Sequence, residues 1–174
     1  MNPMPAVTLA ELNDANETRF IAMLGHVFEH SPWIAAAAAR RRPFASVDEL
    51  HRAMCMVVAE AEVADRLALI AAHPDLVGRA ALAGTLTTAS QAEQSSAGLD
   101  RLDPEEIAMF ADLNASYRTR FGFPFVICVR ENKKAAIIAG LQARVTNERP
   151  AEIATALGEI AKIARLRLAD LVRE

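Results

Sequence analysis

The sequence predicts an all-α protein: a single-domain helical bundle of about eight helices, with one short extended apolar segment near residues 123–129. Three observations carry this expectation. Hydrophobic residues make up 52% of the 174 and aromatic residues only 5%, so a core must be built mainly from Ala, Leu, Ile, Val and Met, which favours closely approaching helices. Strong helix formers are abundant, whereas Gly, Thr and the aromatic residues that suit sheets are scarce. Helix start and stop signals also recur along the whole chain. A chain of this length buries roughly two-thirds of the surface that its unfolded form exposes, enough for one core. No repeat, low-complexity linker or second-domain boundary divides it, so residues 1–174 read as one domain.

The elements follow in order. Glu17 to Phe28 carries Phe20, Met23, Leu24, Val27 and Phe28 at the spacing of one buried helical stripe. Ser31-Pro32 caps and starts a second helix through the alanine run, because proline suits the first helical position. Ser46-Val-Asp-Glu49 is a capping-box pattern opening a third helix, and Glu60 to Ala72 reads as a fourth. His73-Pro74 then interrupts the pattern. A short helical piece is expected around Asp75 to Ala83, and another from about Ala89 to Ala97, stopped by Gly98. Asp103-Pro104-Glu-Glu106 opens a long helix ending at Gly122. In FGFPFVICVR, residues 121–130, Pro124 forces its predecessor toward extended geometry and branched residues follow, so backbone amides there are candidates to meet a ligand. Helices then cover about Asn132 to Arg144 and Glu148 to Arg173.

Composition narrows the partners. Net charge is −3 and the basic residues are scattered. The one cluster, Arg40-Arg41-Arg42, ends a predicted helix, where cations suit the macrodipole, and this is no nucleic-acid footprint. Cys55 and Cys128 lack the density and spacing of a disulfide framework or zinc site, and read as buried free thiols in a reducing compartment. No apolar run reaches the roughly 20 residues of a membrane span, and neither a signal segment nor a peroxisomal or lipidation tag is evident. The expected location is the cytoplasm.

Several residues are candidates for chemistry. His73 stands where the following proline breaks a helix, so its imidazole should lie at a helix end; it is either a proton-transfer group or a turn residue. Ser90, Glu93 and Gln94 stand at i, i+3 and i+4 and share one side of a helix. Ser-x-x-Glu is equally a capping box, in which both side chains satisfy backbone amides. On the last helix the apolar stripe runs through Ile153, Leu157, Ile160, Ala164 and Leu171, and Arg167 falls within about 40° of its centre at 100° per residue, while Arg165 falls well off it. A guanidinium there must pair with a carboxylate, extend to the rim, or meet an anionic or carbonyl-rich ligand. His26-Val-Phe-Glu29-His30 fits the H-x-x-E-H pattern of inverted zinc peptidases, but its residues alternate with core positions and no downstream third ligand is evident, so surface polar residues on an amphipathic helix are the better reading.

HPDL at 73–76, S-x-x-E-Q at 90–94, A-G-L at 97–99 and FGFPFVICVR at 121–130 together resemble the OHCU decarboxylase family, whose members decarboxylate 2-oxo-4-hydroxy-4-carboxy-5-ureidoimidazoline. E-x-S-P-W at 29–33, R-P-F at 42–44 and L-R-L at 166–168 extend the resemblance over nearly the whole chain. It implies an all-helical fold, commonly a homodimer, acting in urate breakdown to give (S)-allantoin with no metal and no organic cofactor. It carries over His73 as the acid/base and Glu93 as its companion. Pro74, the segment Ser90, Gln91, Ala92, Glu93 and Gln94, the backbone of Phe125, Val126, Ile127, Cys128 and Val129, and Arg167 would line the substrate. Two other readings stay open: a metal-dependent hydrolase using His26, Glu29 and His30, and a non-catalytic helical binding module.

Overall fold

Helices dominate the computed structural model of the chain, which describes residues 7–78, 81 and 83–174. Among the described residues there are nine α-helices, one 3-10 turn and a two-residue parallel bridge, so the all-α expectation holds. The chain falls into two units, one of residues up to Ala72 with Ala161–Glu174, the other of His73–Ile160.

In the first unit the two chain ends meet. β1 (Val7–Thr8) pairs in parallel with β2 (Val172–Arg173), Val7 opposite Val172, and the Val47 amide donates to the Glu174 carboxylate at 3.0 Å. Thr8 then caps α1 (Leu9–Asp14). Its hydroxyl accepts from the Glu11 amide, and the Glu11 carboxylate accepts from the Thr8 amide at 2.8 Å. That backbone hydrogen bond is the main reason the Glu11 carboxyl titrates below its ordinary range. With six residues and two buried leucines, α1 is too short to register as periodicity.

Helix α2 (Glu17–Leu24) ends a turn earlier than its stripe predicts. The reason lies just beyond it: Val27, Phe28 and Glu29 are all buried, and three consecutive residues cannot share one face of a helix. α3 (Pro32–Ala39) starts on proline as expected, although Ser31 makes no side-chain cap. α4 (Val47–Glu60) is capped by Ser46, whose hydroxyl accepts from the Glu49 amide at 3.1 Å, and α5 (Val63–Ala71) follows. Arg42 supports the macrodipole reading of the arginine cluster: its guanidinium donates to the Ala39 carbonyl at the end of α3 and to the Leu12 and Ala15 carbonyls at the end of α1. Leu12, Phe20, Leu24, Ile34, Leu50 and Met54 are fully buried in this unit.

The second unit holds α6 (Thr88–Ser96), α7 (Pro104–Phe121), the 3-10 turn Val129–Glu131, α8 (Lys134–Arg144) and the first part of α9 (Arg149–Leu171). The helical piece expected around Asp75 to Ala83 includes Arg79, Ala80 and Leu82, which lie outside the described residues; turns occupy Leu76–Val77 and Ala83–Gly84. Asp103 caps α7 in a reciprocal box with Glu106, and Gly122, at φ +80°, ends it in the left-handed conformation that costs glycine least. Residues 123–128 are non-helical, as their composition predicts, but Val129 already opens the 3-10 turn, one residue short of the expected end; all seven are buried.

An aromatic cluster fills this unit's core. The Tyr117 ring lies 4.6 Å from Phe121 and 5.4 Å edge-on from Phe125, and its hydroxyl donates to Glu152. Glu152 is fully buried, where it also accepts from Arg144 Nε at 2.9 Å and from Asn147 at 2.7 Å. Burial and the neighbouring carboxylate push the Tyr117 phenol well above its ordinary value. No helix among the described residues is long and apolar enough to cross a membrane.

Candidate active site

His73 follows directly on the C-terminal cap of α5, where the Ala72 amide donates to the Ala68 carbonyl at 2.9 Å. Pro74 has no N–H to continue the helical ladder, so the chain turns and His73 stands at the helix end, as the sequence predicts; it is also buried there. The three residues after Pro74 are held by side chains from two helices of the same unit. Arg118 on α7 donates through Nε to both oxygens of Asp75, at 2.9 and 3.0 Å. Asn114 on α7 donates to the Leu76 carbonyl at 2.8 Å, and Gln94 on α6 accepts from the Val77 amide at 3.1 Å. Val77 adopts φ +55°, a left-handed conformation rare for a β-branched residue. The Gly78 amide closes the turn onto the Asp75 carbonyl, and a Cβ on Gly78 would lie only 2.7 Å from Asp75 Cβ.

The start of α6 decides the Ser90 ambiguity. Thr87, not Ser90, is the N-cap; its hydroxyl accepts from the Ser90 amide at 3.2 Å. Ser90 is therefore inside the first turn and the capping-box reading fails. The helix begins one step earlier than its alanine content implied. Ser90 and Gln94 lie on the buried side, Glu93 is half-buried, and Gln91 and Ala92 are exposed. The Gln94 carbonyl oxygen is engaged by Val77, which leaves its amide nitrogen as the group available to a ligand.

In the extended segment, Phe125, Val126, Ile127, Cys128 and Val129 are all buried. The expectation of ligand-facing amides is narrowed by one hydrogen bond, and two further ones take up backbone carbonyls. The Cys128 amide donates to Glu159 at 2.7 Å, the Cys128 carbonyl accepts from Asn132, and the Val126 carbonyl accepts from Arg144 at 2.9 Å. Both cysteines are free; Cys128 is buried as expected but Cys55 only half-buried, and desolvation pushes both thiols up, away from the lowered values that favour a thiolate. A cavity of about 270 Å³ in this unit is lined by Val77, Leu86, Gln91, Gln94, Leu99 and Ile107 among others. Neither His73 nor Glu93 lines it, so cavity size alone does not locate the chemistry.

In the first unit, Arg167 is buried, as its place on the stripe predicts, and Arg165 is exposed. Of the three fates open to its guanidinium, internal pairing is realised: Nη1 donates to Glu29 at 2.9 Å and to the Val27 carbonyl at 3.3 Å. The stripe itself is rotated from the predicted one. Ile163, Ala164 and Leu168 are buried with Arg167, whereas Leu171 is only half-buried.

The same pair removes the basis of the H-x-x-E-H reading. Helix α2 ends at Leu24, so His26 and His30 do not share a helix face; both are exposed, while Glu29 turns inward to Arg167. Desolvation, reinforced by Arg167, holds the His26 imidazole below its ordinary value. Among the described residues no group of three His, Cys, Asp or Glu side chains is placed to hold a metal ion.

Sequence reasoning did not single out Thr87, Asn114, Arg118, Arg144 or Glu152. A signal existed for Asn114, which stands at i+4 from Phe110 and three before Tyr117 on an apolar stripe. It existed also for Glu152, four before the buried Ala156. A polar residue on a buried stripe was the clue that identified Arg167, and it applies equally to these.

Comparison with known proteins bears on the whole chain. The OHCU decarboxylase family profile matches residues 13–169. A 2-oxo-4-hydroxy-4-carboxy-5-ureidoimidazoline decarboxylase of Haloferax volcanii is 44% identical over 167 residues, covering 96% of this chain and 97% of its own length. One from Amia calva is 39% identical over 165 residues, covering 95% and 94%. The crystal structure of an (S)-allantoin synthase superposes with a TM-score of 0.78 at 28% identity over 96% of this chain; the chain spans about half that protein, 54% of its length. With a profile match across nearly all its elements and relatives of this similarity, the chain belongs to the OHCU decarboxylase family.

Proposed function

We propose that the chain, as one catalytic domain spanning residues 1–174, converts 2-oxo-4-hydroxy-4-carboxy-5-ureidoimidazoline to (S)-allantoin with no metal or organic cofactor, working as a homodimer in the cytoplasm. It is a carboxy-lyase of urate degradation. The observation that carries the reading is the family match over residues 13–169, within which His73 is buried at the proline break.

The chemistry needs little beyond what the chain has. Loss of carbon dioxide breaks the carbon–carboxylate bond and leaves its electron pair on the ring carbon, from which the adjacent carbon–nitrogen double bond accepts it. The substrate is its own electron sink, so no pyridoxal or thiamine group is required. The protein must hold the carboxylate out of the conjugated plane, manage the hydroxyl proton and deliver a proton to one face of the intermediate. His73 is the proton-transfer group in this reading. Glu93 binds the 4-hydroxyl and orients the imidazole, and Pro74, Ser90–Gln94, Phe125–Val129 and Arg167 bind the substrate.

Arg167 raises a question of sign. A guanidinium clamped on the departing carboxylate would stabilise the ground state more than a transition state whose charge has moved into the ring, and so slow the reaction. Pairing with Glu29 balances the Arg167 charge, which supports a role toward a ring or ureido oxygen rather than the carboxylate.

The test is to add the purified protein to freshly generated urate-oxidation product and follow carbon dioxide release and allantoin chirality, with and without EDTA. Release faster than spontaneous decay, an excess of the (S) enantiomer and no effect of EDTA are expected. Activity lost on chelation and restored by zinc would favour a metal-dependent hydrolase; decay indistinguishable from buffer would favour a binding module.

A further inference from the structure

We infer that Asn114 is a positioning residue for His73, acting with Gln94 as a two-sided clamp on the peptide bond between Leu76 and Val77. The inference rests on the catalytic reading of His73 given above. Its geometric basis does not.

The carbonyl of Leu76 and the amide of Val77 belong to one peptide group and point in opposite directions. Asn114 Nδ2 donates to the first at 2.8 Å and Gln94 Oε1 accepts from the second at 3.1 Å. Both contacts are buried. A trans peptide plane is rigid, so fixing its two polar ends fixes the rotation of the whole unit. Turning the peptide over would set carbonyl against carbonyl and amide against amide unless both buried side-chain amides turned over with it, so the three groups reorient only together. The clamp thus selects one orientation of the turn that begins three residues after His73. The Arg118–Asp75 pair anchors the intervening residue from the same helix as Asn114.

Three local costs are concentrated here. Val77 holds φ +55°, where its Cβ is crowded. Gly78 has no room for a side chain against Asp75. Asn114 Oδ1 is buried with no hydrogen-bond partner among the described residues, so Asn114 spends the desolvation of its oxygen to supply one donor. An ordinary turn needs none of these, and such strain concentrates where geometry matters for function. The element that benefits is the His73–Pro74 step, since a proton donor misplaced by about 1 Å loses up to a hundredfold in rate.

The experiment uses the full chain and two near-isosteric variants. Asn114→Leu removes the donor without adding charge, and Gln94→Met removes the acceptor. Thermal melts establish folding; kcat, KM and the pH profile of kcat are measured on the ureidoimidazoline; the His73 imidazole is titrated by NMR in the ligand-free protein. We expect Asn114→Leu to lower kcat by about 10- to 100-fold with KM within about twofold, and both variants to displace the His73 titration and the matching limb of the pH profile. The Val77 amide should exchange slowly in the wild-type protein. A His73 titration identical to wild type in a folded variant overturns the clamp, whatever happens to activity, as does fast exchange at Val77 if neither variant folds. Near-wild-type turnover by His73→Asn would instead sink the catalytic reading and leave the clamp standing, so the two failures are distinguishable.

Discussion

At the scale of single residues, the most legible signals were polar side chains on apolar stripes. Arg167 stood out because a guanidinium at the centre of a buried face needs a partner, and that partner is Glu29. Its identity was hidden, since Glu29 lies 138 residues away and inside a motif whose polar side chains were expected to face solvent. Arg167→Lys keeps the charge that pairs with Glu29 but loses the planar fork that can serve two acceptors at once. A fall in kcat with little change in KM is therefore expected from steady-state kinetics, and an effect confined to KM would place Arg167 in ground-state binding only. His73 was legible for a different reason. Proline stops the helical ladder locally, so no tertiary information is needed to put the imidazole at a helix end. Asn114 carried the same signal, a polar residue on the stripe of Phe110 and Tyr117, but its partner did not: the Leu76 carbonyl lies 38 residues earlier in the chain.

At the scale of elements, helix boundaries followed local chemistry where caps were involved and tertiary packing where they were not. Asp103, Ser46 and Gly122 mark the ends they were expected to mark. Two boundaries were misread. The stripe of α2 continues in the sequence through Phe28, but Val27, Phe28 and Glu29 are consecutively buried, a requirement no periodicity reveals. The fourth helix was read from Glu60, which still belongs to α4, whereas α5 starts at Val63. Helix α6 starts within one residue of the expected Ala89, and only its cap was open, since Thr87 and Ser90 are both competent and only one can occupy the position. That assignment gives an element-scale prediction: Thr87→Ala should destabilise the protein by about 1 kcal/mol through loss of the cap, measured as a shift in denaturant midpoint. Ser90→Ala should leave the helix start intact and act instead on catalysis. Equal stability losses from the two would return Ser90 to the cap. The non-helical run at 123–128 was legible from Pro124 and its branched neighbours, yet its amides and carbonyls are partly committed to Glu159, Asn132 and Arg144, partners that composition cannot supply.

At the scale of the whole molecule, an alanine- and leucine-rich chain poor in aromatics made helices, and the family motifs in the right order made the class of chemistry legible. The buried Glu152 network, which joins Tyr117, Arg144 and Asn147 in one unit, was legible only at Glu152 itself, on a buried stripe, because its partners come from separate stretches of sequence. The central claim is that His73 does the proton work on both sides of the cleavage, managing the hydroxyl proton as carbon dioxide leaves, which sets the rate, and then delivering the proton that decides handedness. It is tested most directly by the enantiomeric composition of allantoin formed by His73→Asn from fresh substrate, with thermal melting to confirm the fold. The account predicts a folded variant whose carbon dioxide release falls to the spontaneous rate and whose allantoin is racemic. A folded His73→Asn protein that still yields (S)-allantoin at near-wild-type turnover would contradict it.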